Sequence, residues 1–174
     1  MERITYNPHL YKAFDAYPYE ISETMEALQF AMSYDDLNVQ VWCMLGRVHM
    51  EQFQDYEAAK SCFEQAMSID IEWPGIYPLF ITVLFRTQDF DAAEKLICFA
   101  DSIQKVHKGV LAFYEGRLRE YKGQYKEAMR SYKRAGKYYT DKNTLTELED
   151  EIQKVKKRIG KQEGKKKKKA KAKK

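Results

Sequence analysis

A pattern that recurs every 34 or 35 residues constrains the fold of this chain more than any other feature of its sequence. The run Ala31–Asp35 returns thirty-five residues later as Ala66–Asp70. The register extends into four columns of four residues, in which bulky and small side chains alternate. The columns are Ile21, Tyr56, Phe90 and Tyr125; Thr24, Ala59, Ala93 and Ala128; Leu28, Phe63, Ile97 and Tyr132; and Ala31, Ala66, Ala100 and Ala135. A repeat of this length predicts a stacked array of similar small units.

Each row of the repeat predicts a hairpin of two helices. Residues at positions i, i+3, i+7 and i+10 form one stripe along a helix, and the four columns have this spacing. A second apolar stripe precedes each row, and in one row it consists of Trp42, Leu45, Gly46 and His49. A hairpin of about 34 residues cannot bury its apolar face alone, so neighbouring hairpins must stack.

The row from residue 39 to residue 73 resembles a tetratricopeptide repeat. That family has the pattern W-x2-L-G followed at fixed intervals by Y, A, F and A. The matching residues here are Trp42, Leu45, Gly46, Tyr56, Ala59, Phe63 and Ala66. The row has one extra residue near Phe53, the next row has Ile81 where glycine is usual, and the last row has Glu115 where leucine is usual.

The repeat and the resemblance together predict an all-α fold. The expected architecture is a right-handed α-solenoid of about four tetratricopeptide-like helix hairpins plus a C-terminal capping helix. The predicted segments are a degenerate first hairpin at 1–38, repeats at 39–73, 74–108 and 109–142, a capping helix at 143–159 and a disordered lysine-rich tail at 160–174.

Local signals predict how the array begins. Asn7 is expected to cap the first helix, with Pro8 at its first helical position. Pro18 is expected to end that helix early. The predicted apolar face of the helix consists of Leu10, Tyr11 and Phe14.

The array is expected to end with an amphipathic helix from about Thr144 to Ile159. Thr144 and Glu147 have the spacing of a capping box. Apolar residues follow at alternating intervals of three and four, at Leu145, Leu148, Ile152, Val155 and Ile159. The helix is predicted to cover the end of the stack, and the alternative is that it pairs with the same helix of a second chain. From Gly160 onward the lysines and the lack of apolar residues predict disorder.

The sequence lacks the patterns of the common catalytic and cofactor sites. Its three histidines and three cysteines do not have metal-ligand or redox spacing, and the run at Gly164 lacks the remaining residues of a phosphate loop. We therefore expect a protein that is not an enzyme and has no cofactor or metal. Unpaired cysteines and the absence of an apolar span of about 18 residues favour the cytoplasm, with no membrane span.

The resemblance implies a partner-binding groove lined by the first helix of each hairpin. The residues on that face would be Cys43, Arg47, Met50, Pro78, Thr82, Phe85, Arg86, Phe113, Arg117 and Glu120. Such a lining is apolar and aromatic and contains arginines, so it suits an extended or helical peptide with apolar anchors and a carboxylate. For single residues such as Met50, Phe85 and Phe113, packing between helices is an equal alternative.

A second candidate surface is basic. Five cations fall on one face of the last repeat's second helix, at Lys126, Arg130, Lys133, Arg134 and Lys137, and we call them the basic stripe. The tail adds Lys165, Lys166, Lys167, Lys168 and Lys169. The stripe is either an ordinary solvated helix face or, with the tail, a weak binding surface for nucleic acid or another polyanion, near Tyr121, Tyr138 and Tyr139.

Charge is distributed very unevenly along the chain. Residues 1–104 have a net charge of −11, residues 105–159 of +7 and residues 160–174 of +8. This asymmetry permits self-association between acidic and basic ends. The favoured function is a scaffold or adaptor that holds a protein or peptide partner in the groove, with the tail as an electrostatic tether. The alternatives are an RNA- or ribosome-associated accessory protein and a self-assembling structural subunit.

Overall fold

The computed structural model describes residues 7–171, with side chains described as far as residue 164. Its helices are α1 (Pro8–Ala16), α2 (Ile21–Tyr34), α3 (Val39–Val48), α4 (Tyr56–Ile69), α5 (Ile76–Arg86), α6 (Phe90–Asp101), α7 (Lys108–Tyr121), α8 (Tyr125–Gly136) and α9 (Lys142–Lys171). No strand occurs within the described residues. The predicted fold class, an all-α solenoid of helix hairpins, is confirmed.

The chain divides into two compact units, Met1–Asp89 and Phe90–Lys174. In unit 1, α1 packs on α2, α3 packs on α4, and α5 packs on α4 and α3. In unit 2, α6 packs on α7, α7 on α8 and α8 on α9. The boundary between the units falls inside the predicted repeat 74–108, because α5 packs on the preceding hairpin and α6 on the following one.

One buried asparagine links the two helices of the first hairpin, α1 and α2. The Asn7 side-chain oxygen accepts a hydrogen bond of 3.1 Å from the Leu10 backbone N–H, which caps α1 as predicted. Its side-chain nitrogen donates to the Ala31 carbonyl oxygen at 3.0 Å. A single side chain therefore satisfies a backbone group at the start of α1 and another near the end of α2.

The predicted apolar face of α1 is partly wrong. Leu10 is buried, but Tyr11 and Phe14 are 52% and 46% exposed, and the other buried residues of α1 are Ala13 and Ala16. Small residues let two helix backbones approach closely, which excludes the large rings from the interface. The helix ends at Ala16, ahead of Pro18, as expected.

The extra residue near Phe53 is accommodated by a π-helical turn. Residues His49–Phe53 continue α3 with wider hydrogen bonds, and the backbone N–H groups of Gln54 and Asp55 both donate to the His49 carbonyl oxygen. Gln54 then adopts a left-handed conformation with φ of 54°, and the Asp55 carboxylate caps α4 by accepting from the Ala58 N–H. A π-turn inserts one residue without breaking the helix, which explains the longer row.

The third column of the repeat packs against glycine in two of the hairpins. A methyl group added at Gly46 would lie 2.7 Å from the Phe63 ring, and one added at Gly116 would lie 2.6 Å from the Tyr132 ring. Both distances are far below a normal carbon–carbon contact. The W-x2-L-G glycine is therefore required by the aromatic side chain of the following helix.

Helix α9 begins earlier and ends later than predicted. It starts at Lys142, and its cap is the Asp141 carboxylate, which accepts a 2.8 Å bond from the Thr144 N–H; Thr144 is thus not the capping residue. This bond lowers the pKa of Asp141. The helix continues to Lys171 through the segment predicted to be disordered. Lysine is a good helix former, and an ion pair of 3.2 Å joins Glu163 to Lys126 of α8. Residues 1–6 and 172–174 lie outside the described part of the chain.

The apolar side of α9 faces α8. Leu148 and Val155 are buried in a cluster with Ala128, Tyr132 and Ala135, and Ile152 and Ile159 pack against it. These side chains cover the end of unit 2, so they are not available for the alternative pairing with a second chain.

Candidate partner-binding clefts

Unit 1 contains a cleft between the π-turn and α5, which we call the unit 1 cleft. Its volume is about 260 Å³. It is lined by Met50, Glu51, Gln54, Tyr56, Thr82 and Arg86. The structure therefore brings three of the predicted groove residues, Met50, Thr82 and Arg86, to one place. Gln54 adopts the left-handed conformation, and Tyr56, two residues later, also lines the cleft.

Arg47 is already paired on this face. Its Nε donates to both carboxylate oxygens of Glu51, at 3.1 and 3.2 Å, and its guanidinium lies 4.9 Å from the centre of the Tyr17 ring. The Tyr17 hydroxyl donates to the same carboxylate. Burial and that hydrogen bond raise the pKa of Tyr17. Glu51 thus has two partners, and Arg47 has a partner within its own unit.

Arg86 is in a different situation. It is the last residue of α5, it is exposed, and no carboxylate within the described residues 7–164 forms an ion pair with it. Thr82 lies one turn earlier, with its hydroxyl donating to the Pro78 carbonyl oxygen at 2.7 Å. The cleft therefore presents the Arg86 guanidinium near the half-buried Tyr56 ring, and Met50 lies below with only 6% of its surface exposed.

Other predicted groove residues of unit 1 are buried. Cys43 and Phe85 both belong to the core, and burial raises the pKa of the Cys43 thiol to about 12. Pro78 is half-buried. On α3 and α5 the predicted groove face lies next to the residues that pack against neighbouring helices. Cys43 and Phe85 are therefore covered by the core.

Unit 2 contains a larger cleft, of about 510 Å³, which we call the unit 2 cleft. Its lining includes the predicted groove residues Phe113, Arg117 and Glu120. The remaining lining residues are Tyr121, Tyr132, Glu151 and Arg158. Two of these come from α9, so the capping helix forms one wall of the face that the resemblance assigns to a partner.

Glu120 is held by this wall. One of its carboxylate oxygens lies 2.8 Å from the Arg158 guanidinium of α9, and the other accepts a 2.7 Å hydrogen bond from the Tyr132 hydroxyl. Burial and the bond to Glu120 raise the pKa of Tyr132. Only 12% of the Glu120 side chain is exposed. Glu120 therefore joins α7, α8 and α9 and is not a free groove residue.

All five residues of the basic stripe are exposed, four on α8 and Lys137 directly after its last residue. Lys126 pairs with Glu163, and Arg134 pairs with Glu115. The other three, Arg130, Lys133 and Lys137, have no carboxylate partner among the described side chains. The side chains of Lys165 to Lys169 lie outside the described residues.

Comparison with known proteins agrees with this geometry. The tetratricopeptide repeat family matches residues 39–70. The first tetratricopeptide domain of the human RPAP3 protein superposes with a TM-score of 0.62 at 20% identity, over 72% of this chain and 95% of that one. TTC0263, a tetratricopeptide protein of Thermus thermophilus, gives 0.69 at 12% identity, over 83% and 79%. The MamA protein gives 0.61 at 15% identity, over 90% and 93%. No curated protein matches the chain.

Residues 39–70 thus match the tetratricopeptide repeat family, and the chain has the fold of tetratricopeptide repeat proteins. The fold is that of a protein-interaction scaffold, and proteins of this kind are generally not enzymes. No group of three or more potential metal ligands occurs among the described residues. No helix in the same part of the chain is long and apolar enough to cross a bilayer.

Several cleft residues could not be found from the repeat alone. The extra residue near Phe53 was the available signal for Glu51, Gln54 and Tyr56, since a π-turn rotates the residues that follow it. Arg158 had no such signal. It contacts Glu120, which lies 38 residues earlier in the chain, only because α9 packs along α8.

Proposed function

We propose that this tetratricopeptide repeat protein is a non-enzymatic cytoplasmic adaptor that binds a segment of a partner protein in the unit 1 cleft. The segment would place an acidic side chain on Arg86 and an apolar side chain against the half-buried Tyr56 ring. The observation that carries the proposal is the exposed Arg86 guanidinium, without a carboxylate partner among the described residues, at the edge of the unit 1 cleft.

The chemistry of the cleft supports this choice of ligand. A guanidinium forms its strongest hydrogen bonds with carboxylates, often two at once. Arg47 cannot serve in the same way without releasing Glu51, whereas Arg86 has no such competitor. The cleft has a volume of about 260 Å³, so it fits one or two side chains of a peptide rather than a whole helix. The three free cysteines are consistent with a reducing compartment.

Site-specific photo-cross-linking in a native lysate tests the proposal. A photoreactive phenylalanine analogue is placed at Thr82 in the cleft or at Glu64, which is exposed on α4. We expect a protein cross-linked from position 82 and not from position 64. Mass spectrometry should map the cross-link to a segment that contains Asp or Glu next to an apolar residue.

Charge reversal supplies the matched control. Arg86→Glu should abolish the position 82 cross-link, because the introduced carboxylate repels the acidic side chain of the partner. Lys95→Glu makes the same type of change at an exposed position on α6 and should leave the cross-link intact. Equal cross-linking with Arg86→Glu, or equal capture from position 64, would contradict the proposal.

A further inference from the structure

The C-terminal end of the basic stripe adjoins an aromatic cluster. Lys137 is followed directly by Tyr138 and Tyr139, and His107 at the start of α7 packs against both of them. The His107 ring centre lies 4.9 Å from that of Tyr139 and 6.3 Å from that of Tyr138. Tyr138 is 48% exposed, so part of its side chain is open to solvent while its ring also contacts His107.

This aromatic cluster is held in place by close packing. A methyl group added at Gly109 would lie 2.7 Å from the Tyr139 ring, 2.8 Å from the His107 ring and 2.9 Å from Cβ of Tyr138. The backbone of α7 therefore approaches all three side chains directly. An aromatic side chain that its neighbours already hold in place loses little conformational entropy when it stacks on a ligand.

The stripe itself carries unbalanced positive charge. Arg130, Lys133 and Lys137 are spaced at i, i+3 and i+7 and have no carboxylate partner within residues 7–164. Seven residues of helix span about 10 Å, so these cations form a short line along one side of α8. The α9 backbone then continues as helix past Glu163, which pairs with Lys126 at the other end of the stripe.

We propose that α8 and the cluster of His107, Tyr138 and Tyr139 form a binding surface for single-stranded nucleic acid. Phosphates lie along Arg130, Lys133 and Lys137, and one base stacks on Tyr138. A charged track beside an aromatic side chain is the arrangement that binds single strands without sequence preference. A duplex keeps its bases stacked on one another, and an acidic protein has no base to stack, so neither uses the Tyr138 ring.

Fluorescence anisotropy with the full-length chain tests this surface. The probes are labelled twelve-nucleotide oligo(dT) and oligo(rU), titrated between about 0.05 and 0.3 M salt. Replacing two phosphate-binding cations, Arg130→Gln with Lys133→Gln, should weaken binding about twenty-fold at 0.1 M salt and lower the slope of log K against log salt by about 1.4. Tyr138→Ala should weaken binding about ten-fold, and Tyr138→Phe should not change it.

The control variant, Lys95→Gln with Lys105→Gln, removes the same charge from two exposed lysines of unit 2 outside the stripe. It should leave both affinity and salt slope nearly unchanged. All variants should keep the wild-type circular dichroism spectrum, since the side chains changed are exposed.

Four results would overturn the proposal. They are an equal loss with the control variant, no effect of Tyr138→Ala, equal affinity for a twelve-base-pair duplex, and equally effective displacement of the probe by polyglutamate. The last result would assign the stripe to an acidic protein partner.

Discussion

The hairpins α3/α4 and α7/α8 share one contact between a glycine and an aromatic ring, and the two rings differ by one hydroxyl group. In each, a glycine of the first helix lies against an aromatic ring of the second, Gly46 against Phe63 and Gly116 against Tyr132. Four residues after the glycine, unit 1 has Met50 and unit 2 has Glu120. Phe63 thus occurs in the hairpin that has apolar Met50, and Tyr132 occurs in the hairpin that has the hydrogen-bond acceptor Glu120.

The difference sets which kind of helix can pack next. Phe63 has no polar atom, and Phe80 of the apolar helix α5 packs against it with ring centres 5.8 Å apart. The Tyr132 hydroxyl needs an acceptor, Glu120 supplies it, and the mostly buried carboxylate in turn needs a cation. Arg158 of α9 provides that cation. The glycine contact fixes the geometry of the hairpin, and the atoms at the edge of the ring select the neighbour.

Removing α9 should produce the largest difference in stability between unit 1 and unit 2. A chain that ends at Asp141 loses the cover of Leu148 and Val155 and the partner of Glu120. Burial of a large aliphatic side chain is worth about 1.5–3 kcal/mol, so the loss of two should cost unit 2 about 3–6 kcal/mol while unit 1 stays folded. Hydrogen exchange should show protected amides in α3 and α4 and not in α7 and α8. As a control, a chain that ends at Gly164 should retain wild-type protection. If the amides of α7 and α8 stay protected in the chain that ends at Asp141, unit 2 does not depend on α9.

Adding a methyl group at either glycine should have the next largest effect. Gly46→Ala and Gly116→Ala should each lower the free energy of unfolding by about 2–3 kcal/mol, because the ring and the helix backbone must move apart. Gly160→Ala is the control: no atom lies within 4 Å of the added carbon, and alanine should stabilise the helix by about 0.5–1 kcal/mol. Urea denaturation measures all three. A neutral Gly116→Ala would mean that Tyr132 can shift freely and does not set the helix spacing.

Exchanging the two rings tests the role of the hydroxyl group. Phe63→Tyr buries a hydroxyl that has no acceptor and should cost about 2 kcal/mol, and Tyr132→Phe removes a bond to a charged acceptor and should cost about 1.5 kcal/mol. A double-mutant cycle of Tyr132→Phe and Glu120→Met separates the pair. The double variant should be more stable than Glu120→Met alone, because that single change leaves the hydroxyl unsatisfied. Additive effects in the cycle would show that the two side chains are not coupled.

The smallest expected effect is a difference between the wild type and Tyr132→Phe in how much stability each loses at alkaline pH. Burial raises the pKa of Tyr132 in the folded chain, whereas in the unfolded chain it ionises near pH 10. Its contribution to stability is therefore present below pH 10 and is lost as pH rises above that value. From pH 10 to pH 11 the wild type should lose about 1 kcal/mol more than Tyr132→Phe in urea denaturation. Tyr77, whose pKa burial raises to about 12, is present in both proteins and cancels in the difference. Parallel losses would place Tyr132 in contact with water.

Much of this fold follows from the repeat columns. The small and bulky residues at Ala59, Phe63 and Ala66 are buried, as are their equivalents at Ala128, Tyr132 and Ala135. The cap at Asn7 and the end of α1 before Pro18 also agree with the sequence. Periodicity and caps act within a few turns of helix, so the sequence shows them directly.

The helices, their pairing into hairpins and the tetratricopeptide-like fold could thus be predicted from the order of residues alone. Which candidate side chains remain available to a partner could not. Arg47 forms an ion pair with Glu51, and Glu120 forms one with Arg158 of α9. The core covers Cys43 and Phe85, while Arg86 remains exposed. The two ion pairs join residues that lie 4 and 38 positions apart in sequence, and the longer one forms only after the helices pack. Charge pairing depends on distance in space, and only the tertiary structure fixes that distance.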